Sequence, residues 1–266
     1  MDKNRRKFLK LTGLAALGLT TGKLTDTFAK ESLLKNPAFE AVPKNSIFSD
    51  EGSGKRYAMV VDLRKCLEKG QCTKCLDACH TAHNVPDMGN KKDEVKWIWR
   101  EDFEHVFHDQ ENHYLNDNLK GKKIPVLCNH CDNPPCVKVC PTQATWKRED
   151  GIVMMDWHRC IGCRYCVAAC PYGSRSFNWK DPRPYIKKIT PEFPTRTKGV
   201  VEKCTFCDER LAKGQMPSCT EACTDKALIF GDLNDSHSEI REILKENFSI
   251  RRKPGLGTNP EIYYIV

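Results

Sequence analysis

Residues 160–171 read CIGCRYCVAACP, which places Cys160, Cys163, Cys166 and Cys170 with two, two and three residues between them and closes on Pro171. Thiolates two residues apart on a tight loop can wrap one compact metal cluster. A fourth thiolate three residues further on lies one helical turn away and faces a different cluster. Gly162 permits close backbone approach, and Pro171 redirects the chain after the last thiol. The chemistry this pattern suits is iron–sulfur ligation.

The remaining cysteines repeat the arrangement. Cys66, Cys72, Cys75 and Cys79 form a first group, Cys128, Cys131, Cys136 and Cys140 a second, the opening stretch a third, and Cys204, Cys207, Cys219 and Cys223 a fourth. All sixteen cysteines are used, every group ends in C-x3-C, and two groups close on proline, Pro141 and Pro171. The third group is the bacterial ferredoxin run, in which the fourth cysteine ligates the neighbouring cluster. Zinc ribbons pair two C-x2-C knuckles at longer separation. A disulfide framework does not need such regular quartets. Covalent haem requires C-x-x-C-H, which is absent. Four [4Fe–4S] clusters are therefore expected.

An internal repeat predicts how the groups combine. MVVDLRKC (Met59–Cys66) and VMMDWHRC (Val153–Cys160) are each a short apolar run, an aspartate (Asp62 or Asp156), a basic pair and a first ligand. CPTQA and CTDKALIF each place an alanine, Ala144 or Ala227, four residues after the last cysteine. The second and third groups thus make one continuous ferredoxin unit, and the fourth and first make another whose halves are far apart in sequence. Crossed ligation follows. One cluster is expected on Cys128, Cys131, Cys136 and Cys170, and another on Cys160, Cys163, Cys166 and Cys140. The split unit gives Cys66, Cys72, Cys75 with Cys223, and Cys204, Cys207, Cys219 with Cys79. The predicted fold class is α+β, two ferredoxin-like [4Fe–4S] modules related by pseudo-twofold symmetry, with loop-rich insertions.

The 266 residues leave room for one large domain or two small ones, and 39% hydrophobic content is lean for a single apolar core. Crossing ligands, which tie segments together through iron, would compensate. The net charge is +8, of which residues 1–29 contribute +4, so nucleic-acid binding has little support. With each oxidised cluster at about −2, the loaded protein would be mildly acidic. RRKFLK followed by a short apolar run from Phe8 to Leu19 resembles a twin-arginine export signal, with TFA at Thr27–Ala29 suited to cleavage. That route moves folded, cofactor-loaded proteins. No later segment is apolar over 18 residues, so the mature protein is not expected to span a membrane.

The predicted organisation is a signal peptide (1–29), a linker (30–56), a split module (57–80 and 200–235), an insertion (81–123), a continuous module (124–176), an insertion loop (177–199) and a C-terminal helix and tail (236–266). Trp97 and Trp99 read as packing residues. His80, His83, His105, His108, His113 and His130 read as surface or hydrogen-bonding groups rather than ligands. The proline-punctuated 177–199 loop reads as a solvated face. Ser236–Asn247 reads as one amphipathic helix ahead of a final strand or clamp.

From about Tyr57 onward the chain resembles the four-cluster ferredoxin-like subunits of membrane-bound oxidoreductases, the NrfC, HybA, TtrB and polysulfide reductase B group. LGTNPEIYY (Leu256–Tyr264) is similar to that family's C-terminal segment. Within the group, LCNHCDNPPCVKVCPTQATWKREDGIVMMD, HRCIGCRYCVAACPYGSRSFNWKDPRP and RTKGVVEKCTFCDERLAKG most resemble the DsrO subunits of DsrMKJOP complexes. The menaquinol-oxidising Hme complex has a similar subunit. The resemblance implies an electron-transfer role without bond chemistry and with no catalytic residue. Expected partners are an NrfD-like membrane protein (DsrP-like), a multihaem cytochrome c (DsrJ-like) and other Dsr subunits, at the periplasmic face. The export signal and the lack of a C-terminal anchor favour DsrO-like over HybA-like assignments. The five-residue gap between Cys66 and Cys72 departs from the family's commonest first motif. The rival readings are the iron–sulfur subunit of another membrane oxidoreductase, HybA-, NrfC- or polysulfide/tetrathionate reductase-like, and a soluble polyferredoxin carrier. A self-sufficient oxidoreductase would need a nucleotide fingerprint, and none appears.

Overall fold

Ten strands among the described residues frame the structure, a computed structural model covering residues 54–70, 72–110 and 113–266. They are β1 (Tyr57–Asp62), β2 (Ile98–Asp102), β3 (Lys123–Leu127), β4 (Thr145–Lys147), β5 (Val153–Met155), β6 (Ser176–Phe177), β7 (Val201–Glu202), β8 (Leu228–Asp232), β9 (Ser249–Ile250) and β10 (Ile262–Ile265). The predicted signal peptide and most of the predicted linker lie outside the described residues. No described helix is long and apolar enough to cross a membrane.

Alternation along β1 explains its place at the centre of a sheet. Met59 and Val61 face a large core that includes Trp97, Ile124, Phe206 and Phe230. Ala58 and Val60 face the opposite side with Ile229, Ile240 and Ile265. Ile240 belongs to the helix Glu239–Glu246, shorter than the predicted amphipathic segment but on it, with Ile243 and Leu244 packed alongside. β1 pairs antiparallel with β8 and parallel with β10, and β9 completes the order β8-β1-β10-β9. The C-terminal strand is therefore part of the sheet rather than an appended clamp.

The two repeats of the sequence take up the same local arrangement. β8, which follows the fourth cysteine group, pairs with β1, which precedes the first, and Asp62 N–H donates to the Ala227 carbonyl at 2.8 Å. β4, which follows the second group, pairs with β5, which precedes the third, and Asp156 N–H donates to the Ala144 carbonyl at 2.7 Å. The repeated aspartates also act alike. Asp62 accepts from Arg64 N–H at 3.1 Å and Asp156 from His158 N–H at 2.8 Å, each turning the chain into its first ligand.

Both insertions fold back over the modules. β2 and β3 form an antiparallel pair, and Trp97, Trp99, Phe103 and Phe107 are buried as packing residues. The 177–199 loop departs from the expectation of a solvated face, because Phe193 and Arg196 are buried. Phe193 meets His83 and Trp97 edge-on. Arg196 pairs with Glu202 at 2.6 Å, while Trp97 Nε1 (3.0 Å) and Asn178 Nδ2 (2.6 Å) donate to the same carboxylate. Sequence polarity hid this, because a buried ion pair has the same composition as an exposed one. Glu202→Ala, which strands the Arg196 guanidinium, should cost about 3–5 kcal/mol, read by chemical denaturation of the purified protein.

Candidate metal centre

Three of the C-x2-C loops share one backbone device. The residue before the second cysteine is left-handed in each: His130 (φ 41°), Gly162 (φ 72°) and Phe206 (φ 57°). Such a residue folds the loop back so that both cysteines border one concavity, at a steric cost of about 1 kcal/mol where a side chain is present. Tertiary contacts offset that cost. The His130 and Phe206 rings stack at 3.7 Å with 13° between planes. At Gly162 the neighbour leaves no choice, since a Cβ there would collide with the Gly199 carbonyl oxygen. The first group is built differently, which accounts for its unusual gap. Cys66 sits on the helix Leu63–Glu68, whereas Cys75 and Cys79 ride on the helix Lys74–Ala82.

The cysteines converge in the crossed sets. Cys66, Cys72, Cys75 and Cys223 line one cavity, and Cys128, Cys131, Cys136 and Cys170 line another. Cys79 lies in electrostatic contact with Cys204, Cys207 and Cys219. Cys166 feels Cys160 and Cys140, and Cys163 occupies the loop between Cys160 and Cys166. None of the sixteen is in a disulfide. The sets form a sequence in space. Cys75 feels Cys219 and Cys204 feels Cys128, while Arg175 donates to Cys136 and also feels Cys166. The first set is half-buried throughout and the last largely so, while the two inner sets are mostly buried.

The electrostatics suit a cationic core inside each set. Burial, reinforced by neighbouring thiols, pushes Cys66 up to about 11 and Cys75 up to about 12. Burial likewise drives Cys204 and Cys219 well above the ordinary thiol value. Four buried thiolates cannot coexist without iron or an equivalent charge to hold them. Donors already point at sulfur. Ala227 N–H lies 3.2 Å from Cys223 Sγ, Phe206 N–H 3.4 Å from Cys204 Sγ and Ser218 N–H 3.4 Å from Cys207 Sγ. At Cys140, burial is outweighed by backbone N–H groups of Thr145, Thr142 and Ala144 and the Thr142 hydroxyl, which lower its pKa. The repeated alanine thus has a physical role, since both Ala144 and Ala227 aim an N–H at the last cysteine of their group. Soft thiolate quartets with N–H donors around a small cavity fit a [4Fe–4S] cubane.

Residues 120–199 match the family model described as a 4Fe-4S dicluster domain. The chain is 40% identical over 289 aligned positions to the Hdr-like menaquinol oxidoreductase iron-sulfur subunit 1 of Archaeoglobus fulgidus, covering 98% of this chain and 97% of that one. It is 36% identical to a tetrathionate reductase subunit of Salmonella typhimurium, over 100% of this chain and 89% of that one. It is 33% identical to Protein NrfC of Escherichia coli, over 100% and 96%. The chain belongs to the NrfC/TtrB-type family of [4Fe–4S] iron–sulfur subunits.

In this NrfC/TtrB-type chain, the histidines are surface or hydrogen-bonding groups, as expected, and the hydrogen-bonded ones lie deeper than their polar sequence suggests. His105, His108 and His113 are at or near the surface, but His83 and His130 are fully buried. His83 stacks on Trp97 at 4.6 Å, and its Nδ1 lies 2.8 Å from the Cys79 carbonyl and 3.7 Å from Cys79 Sγ. Its Nε2 lies 3.0 Å from Glu209 Oε1. Burial opposes charge on the ring, but Cys207, Cys79 and Glu209 outweigh it and raise the pKa. Isolated histidines in a polar sequence give no sign of this. Two further residues are equally unmarked in the sequence, Arg175 and Lys203, both buried beside cysteines. Their only signal is proximity, Arg175 soon after Cys170 and Lys203 directly before Cys204. Gly162→Ala should lower the iron content of anaerobically purified protein, because its loop must shift away from Gly199. Gly255→Ala, with open space around it, should leave iron content unchanged.

Proposed function

We propose that this chain is the electron-transfer subunit of a membrane quinol-linked oxidoreductase and carries four [4Fe–4S] clusters in a row, in two ferredoxin-like modules related by a pseudo-twofold. The observation that carries the reading is the set of crossed cysteine quartets, two buried in the interior and one at each half-exposed end. Electrons enter at one end and leave at the other, passing singly between neighbouring clusters. The ligands are Cys66, Cys72, Cys75 and Cys223; Cys79, Cys204, Cys207 and Cys219; Cys128, Cys131, Cys136 and Cys170; and Cys140, Cys160, Cys163 and Cys166.

The names of the relatives, an Hdr-like menaquinol oxidoreductase subunit and a menaquinone reductase iron-sulfur cluster-binding subunit among them, support a quinone-linked membrane partner. Within that class we favour a Dsr-type sulfur-respiration complex, with an NrfD-like (DsrP-like) membrane subunit and a multihaem cytochrome c (DsrJ-like). This rests on the sequence resemblance described above. The twin-arginine-like segment supports export in the folded, cluster-loaded form to the extracytoplasmic face.

Anaerobically purified protein should contain iron and acid-labile sulfide in equal amounts, at about sixteen of each per chain if each of four cubanes is Fe4S4. Zinc in their place would overturn the reading. Crossing is testable separately. Cys170→Ser should alter the same electron paramagnetic resonance signal as Cys131→Ser, and Cys140→Ser the same signal as Cys163→Ser. Signals that follow sequence grouping instead, Cys170 with Cys163, would refute it. Isolation from native membranes together with a polytopic subunit is expected; a free monomer there would favour the soluble carrier.

A further inference from the structure

Two of the most deeply buried cations in the molecule stand beside cysteines instead of carboxylates. Arg175 is 4% exposed, and its Nη2 donates to Cys136 Sγ at 3.1 Å and to Thr145 Oγ1 at 2.8 Å, while Nη1 lies 3.7 Å from Met155 Sδ. It also feels Cys166 of the adjoining quartet electrostatically. Lys203 is fully buried, and its Nζ donates to the Cys204 carbonyl at 2.6 Å and to the Val153 carbonyl. The thiols it feels are Cys128, Cys204 and Cys136. Asp208 feels Lys203 but has Arg148 at 3.9 Å as its ion-pair partner. Arg196 in the same interior shows the ordinary solution, a buried carboxylate from Glu202.

We propose that Arg175 and Lys203 set the potential profile of the row, making the cluster on Cys128, Cys131, Cys136 and Cys170 the most readily reduced of the four. The inference rests on the four-cluster reading above. Reduction adds one electron to a cluster, drawn from its neighbour, which is oxidised by one. A fixed positive charge in a low-dielectric interior stabilises the added negative charge and raises the midpoint potential. Only this quartet has both cations against it, Lys203 on the side of Cys204 and Arg175 on the side of Cys166. Arg252, which lies over the Tyr172 ring at 5.2 Å next to Cys170, adds a third positive group nearby. Elsewhere the signs are mixed. Cys66 feels both Arg100 and Asp225, and Cys79 feels both His83 and Glu209. The last quartet has Arg175 at Cys166. Electrons arriving from either end would thus fall to an interior cluster, shielded from solvent, before moving on.

The test is a potentiometric titration of the full-length, anaerobically purified protein followed by electron paramagnetic resonance. In the wild type, the first signal to appear on lowering the potential should be the one perturbed by Cys131→Ser. Arg175→Met and Lys203→Met should each lower its reduced-to-oxidised ratio tenfold or more at fixed potential, which is 59 mV for a one-electron couple. Arg175→Lys and Lys203→Arg, which keep the charge, should retain most of the wild-type midpoint. A fully iron-loaded Arg175→Met protein with an unmoved midpoint overturns the inference alone. If the methionine variants lose iron, the wild-type order of reduction decides: a first signal perturbed by Cys72→Ser, Cys207→Ser or Cys163→Ser instead overturns it. Wild-type protein without iron and sulfide overturns the cluster reading and this inference together.

Discussion

Convergence of four buried thiols from two separate chain segments is the constraint on which the rest of the structure depends. A thiolate in a small apolar cavity is unstable beside three others, and burial keeps these thiols protonated in the absence of a central cation. The protein answers with geometry, using left-handed loop residues, aspartate turns before the first cysteine and alanine N–H groups aimed at the last. These features act on cysteine position, and their placement is repeated in both modules. A chain with 39% hydrophobic residues and many short strands gains cohesion this way that apolar burial alone would not supply.

Around that centre, the insertions serve as walls. The loop 177–199 and the segment before β2 close over His83 through Phe193, Trp97 and the Arg196–Glu202 pair. Their effect is to exclude water from an inner quartet. Solvent exclusion and nearby charge are the levers a protein has over an iron–sulfur potential once the ligands are fixed. The structure varies both along the row, with half-exposed ends and an interior lined by buried cations and a buried histidine.

The family relation and the site chemistry agree on function class for a physical reason. Backbone N–H groups and buried cations approach the quartets and suit sulfur, with Glu209 beside Cys79 and Asp225 beside Cys66. Such a site holds and passes charge.

The sequence by itself determined the ligand chemistry, because cysteine spacing is a local property and C-x2-C-x2-C-x3-C-P has one well-suited use. It also made the repeat legible, since Asp62 and Asp156, and Ala144 and Ala227, mark equivalent turns. The repeat also predicted that the first and fourth groups combine, whereas only the tertiary structure decided how the insertions and the C-terminal strand close around them. The pairing of β1 with β10, the burial of the 177–199 loop, and the placing of His83, His130, Arg175 and Lys203 all depend on contacts between residues far apart in the chain. Polarity in sequence reports what a side chain can bond. Whether its partner is water, a carboxylate or a sulfur is fixed when distant segments close around it.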